Sequence, residues 1–387
     1  MNRLLKYLVI LLLLSCFLVG CFGHGSNSTT NPKAKNIILF IGDGMGAEHR
    51  KAARWAAVGK NGKLAMDDMP ISGSLRTYSA DNTITDSAAA TTAIATGVKT
   101  NNGVIALDAN LSHVSTILEK AKAVGKRVGL VTTTHITHAT PAAFVSHIED
   151  RRSMIEIAEQ TLLADVDVLL GGGEDVFLPT SNNGCFPEPG KRRDGRNLIN
   201  EFISIGYVYV CDPASFAFIE PISTYKLLGL FSDEGMTRPF SPSLAEMTEK
   251  AIAILSNSPD GFFLMVEGGQ IDWASHRNDA ANMISDTVAF DDAVKVAHQF
   301  ASMNSETLII VTADHETGGM AVSSLATGLP GEDGPFTTLD GDYFYVNWST
   351  TRHTDANVPV TSQGPLSNRL NGINNNTVIH DVILSAL

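Results

Sequence analysis

The sequence predicts an α/β fold built on a mostly parallel central sheet. Three observations carry that expectation. Short apolar runs without polar alternation recur along the chain, as strands buried on both faces require. Stretches with helical periodicity separate them, which is the alternation expected of parallel strands and their crossover helices. Three of the runs end at once in carboxylates: Ile41 is followed by Gly42-Asp43, Val266 by Glu267, and Val311-Thr312-Ala313 by Asp314-His315. In open α/β sheets, sites form beyond the carboxyl ends of the strands, and acids converging there repel one another unless cations lie between them.

Taken in order, the chain begins with a targeting segment. Met1 to Lys6 is basic, and Leu8 to Val19 is apolar apart from Ser15. That run is too short for an ordinary spanning helix and fits a secretory signal. Leu18-Val19-Gly20-Cys21 resembles a bacterial lipobox. Residues 1–20 are therefore expected to be a lipoprotein-type signal peptide, with Cys21 the lipidated first residue of an exported periplasmic or cell-envelope protein; an ordinary signal cut nearby is the alternative. Residues 21–35 read as that cysteine and a flexible tether, and 36–387 as a single domain.

Strands are expected at 36–41, 128–132, 166–170, 207–210, 262–266 and 308–311, and helices at 114–124, 154–163, 244–255 and 286–301. Residues 321–347 are rich in Gly, Pro, Asp and Thr and read as a surface excursion with one strand at 343–346. Residues 371–376 read as a loop and 378–387 as a closing helix. Cys185 and Cys211 remain beyond the leader; in an exported chain they can pair, or stay two buried thiols.

With 387 residues, 44% apolar and 18% charged, the composition is that of a globular enzyme. The net charge of −13 argues against a nucleic-acid or general polyanion binder. It does not exclude a phosphate substrate, because bound divalent cations reverse the local sign.

The organising stretch is Asp86-Ser87-Ala88-Ala89-Ala90-Thr91-Thr92. Asp86-Ser87 sits where a helix would begin, so the Ser87 hydroxyl meets unpaired backbone N–H groups and the positive end of the helix dipole. Asp86 or Ser87 as a simple cap is the alternative. Serine attacks only when something removes its proton or coordinates its oxygen, and the remaining clusters offer metal ligands. Asp272 and His276 are four apart, so on one helical turn they share a face and suit zinc; an exposed ion pair is the alternative. Asp314 and His315 are adjacent and can hold one ion only where the chain turns; a pair of solvated loop residues is the alternative. His353 comes late, in a polar loop, where a structural or exposed lone histidine is the alternative. His138 and Thr140 follow a strand, and the Thr140 hydroxyl suits a hard cation such as magnesium. Arg151 and Arg152 each offer a fork for two phosphate oxygens, or an exposed ion pair.

With Gly42-Asp43-Gly44-Met45, Asp86-Ser87-Ala88, Thr137-His138-Ala139-Thr140-Pro141, Glu267, Asp272, His276 and Thr312-Ala313-Asp314-His315 all present and in order, the chain resembles the alkaline phosphatases from residue 36 to 387. The resemblance implies a three-layer α/β/α sandwich and a phosphomonoesterase of broad specificity acting through a phosphoserine at Ser87. It implies two zinc ions, one on Asp272, His276 and His353 and one on Asp43, Asp314 and His315. It also implies one magnesium on Asp43, Thr140 and Glu267, and Arg151 as the phosphate-binding arginine. Family members are commonly homodimers. His138 and Trp273 stand where enterobacterial members have Asp and Lys, a pairing similar to the cold-adapted and marine branch; with Asp86 they are expected beside the ligands. The His138 imidazole could favour zinc in the third site or weaken magnesium. Two other readings are a phosphodiesterase of the same superfamily and a lipoprotein that binds phosphate or metal without turnover. A sulfatase is disfavoured because Ala88-Ala89-Ala90 follows Ser87 in place of a C/S-x-P-x-R context.

Overall fold

The computed structural model describes residues 33–387. The expected signal peptide, Cys21 and nearly all of the tether lie outside the described residues. In chain order the strands are β1 (Asn36–Gly42), β2 (Ile71–Arg76), β3 (Arg127–His135), β4 (Val168–Gly172), β5 (Val208–Val210), β6 (Leu227–Leu230), β7 (Phe262–Gly268) and β8 (Thr307–Thr312). Then come β9 (Glu316–Thr317), β10 (Ala321–Ser323), β11 (Asp333–Thr337), β12 (Tyr343–Asn347), β13 (His353–Thr354), β14 (Val358–Gln363) and β15 (Gly372–Asn375).

Ten strands form the main sheet in the order β15-β2-β14-β8-β1-β7-β3-β4-β6-β5. Neighbours run parallel except where β14 meets β2 and β8. β1, β7 and β8 are buried along their whole length, which is why they read as unbroken apolar runs. Adjacent strand residues point to opposite faces. Phe262 meets Phe300 of the helix Ala280–Met303, while Phe263 meets Phe144 of the helix Ala139–Val145. Helices therefore cover both faces, and the sandwich has three layers.

Register brings the site together. Ile41 lies opposite both Glu267 of β7 and Thr312 of β8, and Thr132 of β3 also lies opposite Glu267. The chain segments that follow β1, β7 and β8 thus leave the sheet at one level.

Several expectations are corrected. Residues 371–376 are not a loop: Gly372–Asn375 is an edge strand parallel to β2. Its Gly and Asn residues carry no strand signal because pairing there is by backbone alone, with mostly exposed side chains. β2, β6 and β14 were likewise not expected; β2 is half exposed and carries Gly73 and two serines. The helix around 286–301 begins earlier, at Ala280, where the Asp279 side chain caps it. Within 321–347, β10, β12 and β11 form a small antiparallel sheet, so the excursion holds three strands and not one. Cys185 and Cys211 are joined in a disulfide. No described helix is long and apolar enough to cross a membrane.

Candidate active site

The helix Ser87–Thr96 starts as its sequence suggests. The Asp86 side chain caps it by accepting from the Ala89 amide at 3.0 Å, and Ser87 occupies the first turn, almost fully buried. The Ser87 hydroxyl lies 3.2 Å from His315 Nε2. That nitrogen is also 3.4 Å from Asp43 and 3.3 Å from Asp314, and all three residues have 0% exposure.

The hydrogen bonds fix where protons sit. Thr317 donates its hydroxyl to Asp272 at 2.5 Å, so its oxygen accepts from His315 Nδ1 at 3.3 Å. His315 Nε2 is then a lone pair aimed at two carboxylates. His276 Nδ1 faces the Thr351 carbonyl at 2.7 Å, and His353 Nδ1 faces the Thr85 carbonyl at 2.9 Å. A carbonyl cannot donate, so both Nδ1 atoms carry hydrogen. The two Nε2 atoms nevertheless lie 3.1 Å apart, with Asp272 3.3 Å from His276 and 3.7 Å from His353. Lone pairs and carboxylates at these distances are relieved only by positive charge placed among them.

A third group surrounds Glu267, which is fully buried. One of its oxygens accepts from Thr132 and, at 3.1 Å, from Thr134; the other has no hydrogen-bond partner. Asp43, His138 and Glu267 bring ligand atoms within 4.8 Å of one another, as do Asp43, Asp314 and His315, and Asp272, His315 and His353. His315 therefore borders both of the first two groups, and His138, expected beside the third, supplies an atom to it. Thr140 stands in the first turn of the helix Ala139–Val145 with a buried, unpartnered hydroxyl. Both Asp43 oxygens are likewise unpartnered.

The electrostatics match this geometry. Burial, reinforced by the charges of Asp314, Asp272 and Glu267, pushes Asp43 well above the carboxylate range. Burial and Asp272 push Asp314 up to about 7. Burial holds His315 neutral. The hydrogen bond to Asp272 lifts His276 to about 8. Orphaned buried acids beside imidazole lone pairs fit divalent cations: N and O donors for zinc, hydroxyl and carboxylate oxygens for magnesium.

Arg151 borders these groups. One arm donates to Asp86 at 3.0 Å and the other to His138 at 3.2 Å, leaving three of its five N–H donors free. Arg152 instead pairs with Asp150 on the surface. Trp273 packs edge-on against His138 and His135, with 6.0 Å between ring centroids in both pairs. Gly44 has a φ of +74°, and a side chain there would meet the Asp272 backbone at 2.9 Å. Sequence reasoning missed Thr317, whose hydroxyl holds Asp272, and Thr132 and Thr134, whose hydroxyls hold Glu267. Their signal was position: each lies within a few residues of a strand-end ligand or opposite one.

Residues 34–337 match the family model described as alkaline phosphatase. The chain belongs to the alkaline phosphatase family. Alkaline phosphatase 4 of Bacillus subtilis is 41% identical over 309 residues, covering 75% of this chain and 63% of its own length. Alkaline phosphatase of Escherichia coli is 33% identical over 420 residues, covering 93% and 88%. The chain thus spans 63% of the length of the two Bacillus alkaline phosphatases it matches. Alkaline phosphatase from the Antarctic bacterium TAB5 superposes with a TM-score of 0.78 at 33% identity, covering 92% of this chain and 98% of that one. The Thermus thermophilus alkaline phosphatase gives 0.79 at 26% identity, covering 95% of each. A TAB5 mutant with a histidine replaced by aspartate is described with magnesium bound in its M3 site.

Proposed function

We propose that this family member is an exported, metal-dependent phosphomonoesterase that releases inorganic phosphate through a phosphoserine at Ser87. The observation that carries the reading is the Ser87 hydroxyl, at a helix N-terminus and 3.2 Å from His315, bordered by buried acids and imidazoles that lack partners.

In this reading Asp272, His276 and His353 hold one zinc, and Asp43, Asp314 and His315 the other. Asp43, Thr140 and Glu267 hold magnesium. When bound, such ions supply the positive charge that favours an ionised serine oxygen and a departing alkoxide. The chain's own groups do the rest. The first-turn amides of the helix Ser87–Thr96 face the phosphoryl oxygens. Asp86 aims Arg151, whose free N–H donors take two non-bridging oxygens. The Ser87 oxygen bonds to phosphorus as the ester oxygen leaves. Water then attacks the phosphoserine, releasing phosphate and restoring the hydroxyl. Positioning and charge neutralisation supply most of the acceleration.

The assay is hydrolysis of p-nitrophenyl phosphate and of its bis-ester, after chelation and again after zinc and magnesium are returned. Hydrolysis of the monoester should require the metals, and Ser87→Ala should lower it by about 10³-fold or more. Preference for the bis-ester would replace this reading with a phosphodiesterase. Tight phosphate binding by zinc-replete protein without turnover would replace it with a binding protein. His138→Asp should raise magnesium affinity of the third site, because a carboxylate oxygen suits that ion better than an imidazole. Export and lipid anchorage rest on residues 1–21, and radiolabelled palmitate incorporation lost in Cys21→Ser tests the anchor. A homodimer is expected by family resemblance, and light scattering measures it.

A further inference from the structure

A second meeting of imidazole and carboxylate lies away from the strand ends. His113, Glu119 and His147 bring ligand atoms within 4.8 Å of one another. Three chain segments build it. His113 pairs with Leu107 in an antiparallel bridge, and Ile148, next to His147, pairs with Ile105 in another, so residues 105–107 position both histidines. Glu119 sits in the first turn of the helix Ile117–Ala123. Its Oε2 accepts from the Thr116 amide at 2.8 Å as part of the helix cap, which turns Oε1 toward His147.

His147 is held firmly. Its amide donates to Gln160 at 2.7 Å, and its Nδ1 faces the Ala106 carbonyl at 2.8 Å. Nδ1 therefore carries the hydrogen. In the neutral ring, Nε2 is a lone pair, yet it lies 3.0 Å from Glu119 Oε1, another acceptor. The His113 ring stacks on His147 with centroids 3.6 Å apart and planes 30° from parallel. Either a proton or a metal ion resolves this arrangement. A ring N–H resting on a backbone carbonyl is the support that metal-bound imidazoles receive. Two imidazoles and a carboxylate, with room for water at the exposed His113 side, suit a tetrahedral divalent ion of zinc type.

We propose that His113, Glu119 and His147 bind one zinc-class divalent cation, separate from the three groups around Ser87. The ion ties the 105–113 loop to the helix Ile117–Ala123 and to the segment after the helix Ala139–Val145. The residues just before that loop border the proposed active site: the Gly103 amide donates to Asp86 at 3.1 Å, and its carbonyl accepts from the Arg151 amide at 2.9 Å. The peripheral ion braces that loop without touching the reacting atoms.

The test counts zinc. The full chain is chelated, equilibrated with zinc chloride, desalted and analysed for metal, alongside His113→Ala and Glu119→Gln prepared in the same way. His113 is exposed, so its replacement leaves the fold intact. The unaltered chain should retain one more zinc per chain than either variant, while turnover of p-nitrophenyl phosphate stays within about twofold. Equal zinc content in all three proteins would overturn the proposal and leave a protonated His147 paired with Glu119. Because the count is independent of hydrolysis, its failure and the failure of the phosphatase reading are separate results.

Discussion

Buried carboxylates in two regions of this molecule, the long helix Ala280–Met303 and the strand ends, are treated in opposite ways. On the long helix Ala280–Met303, Asp286 is gripped by Arg238, whose Nε and Nη2 donate to its oxygens at 2.6–3.0 Å. Asp291 on the same helix accepts from the Ala65 and Met66 amides at 2.9 and 2.8 Å. At the strand ends, Asp43 has no hydrogen-bond partner, and Asp314 and Glu267 each leave one oxygen unpartnered. The helix acids serve the fold, and their partners are part of the chain. The strand-end acids are left short of positive charge, and in the proposed reading an ion completes them.

The largest test of that contrast is Asp43→Asn. It should lower phosphatase turnover by at least about 10²–10³-fold, the scale of losing one electrostatic stabiliser of the transition state. It should also raise the melting temperature of the chelated protein by about 2 °C or more, because it removes one of several crowded charges. A chelated variant that melts below the unaltered chain would break the comparison. Arg238→Ala should do the reverse. It strands the Asp286 charge, and unfolding in urea should show a loss of about 3 kcal/mol.

The pH dependence sharpens the same point. Asp314 is raised from 3.8 to about 7, chiefly by burial. Between these values the folded, metal-free chain keeps a proton that the unfolded chain has released. Stability of the chelated protein should therefore fall as pH rises through that window. Returning zinc should flatten or reverse the slope, and melting curves at several pH values with and without zinc measure it. The smallest effect is expected for Asp291→Asn. It keeps one oxygen acceptor for the two amides, and denaturant titration should register a loss of about 1 kcal/mol.

The sequence was most legible where burial is complete. β1, β7 and β8 announced themselves because both faces are covered, and the acids directly after them stood out against apolar runs. Asp272 and His276 were readable because a helical turn fixes their relation. β15 was not, since edge pairing makes little demand on side chains, and neither was the half-exposed β2 beside it. Thr317 escaped because its task is to orient His315 and Asp272, and a strand of two residues has no periodic signature. His147 carries no signal in the sequence because its partners, His113, Glu119 and the Ala106 carbonyl, converge only through two isolated bridges.

The pairing of β9 with β13 has its own consequence. Thr317 lies opposite His353, and Glu316 opposite Thr354, so the two limbs of the excursion are buttoned together at its root. Everything from 318 to 352 hangs beyond that button. Its outer turn, around the exposed Leu329, is a place where length can change without shifting His353. Foreign peptides or whole reporter domains grafted there should leave Thr317 and His353 in register, making this hairpin a natural splice point for fusion proteins.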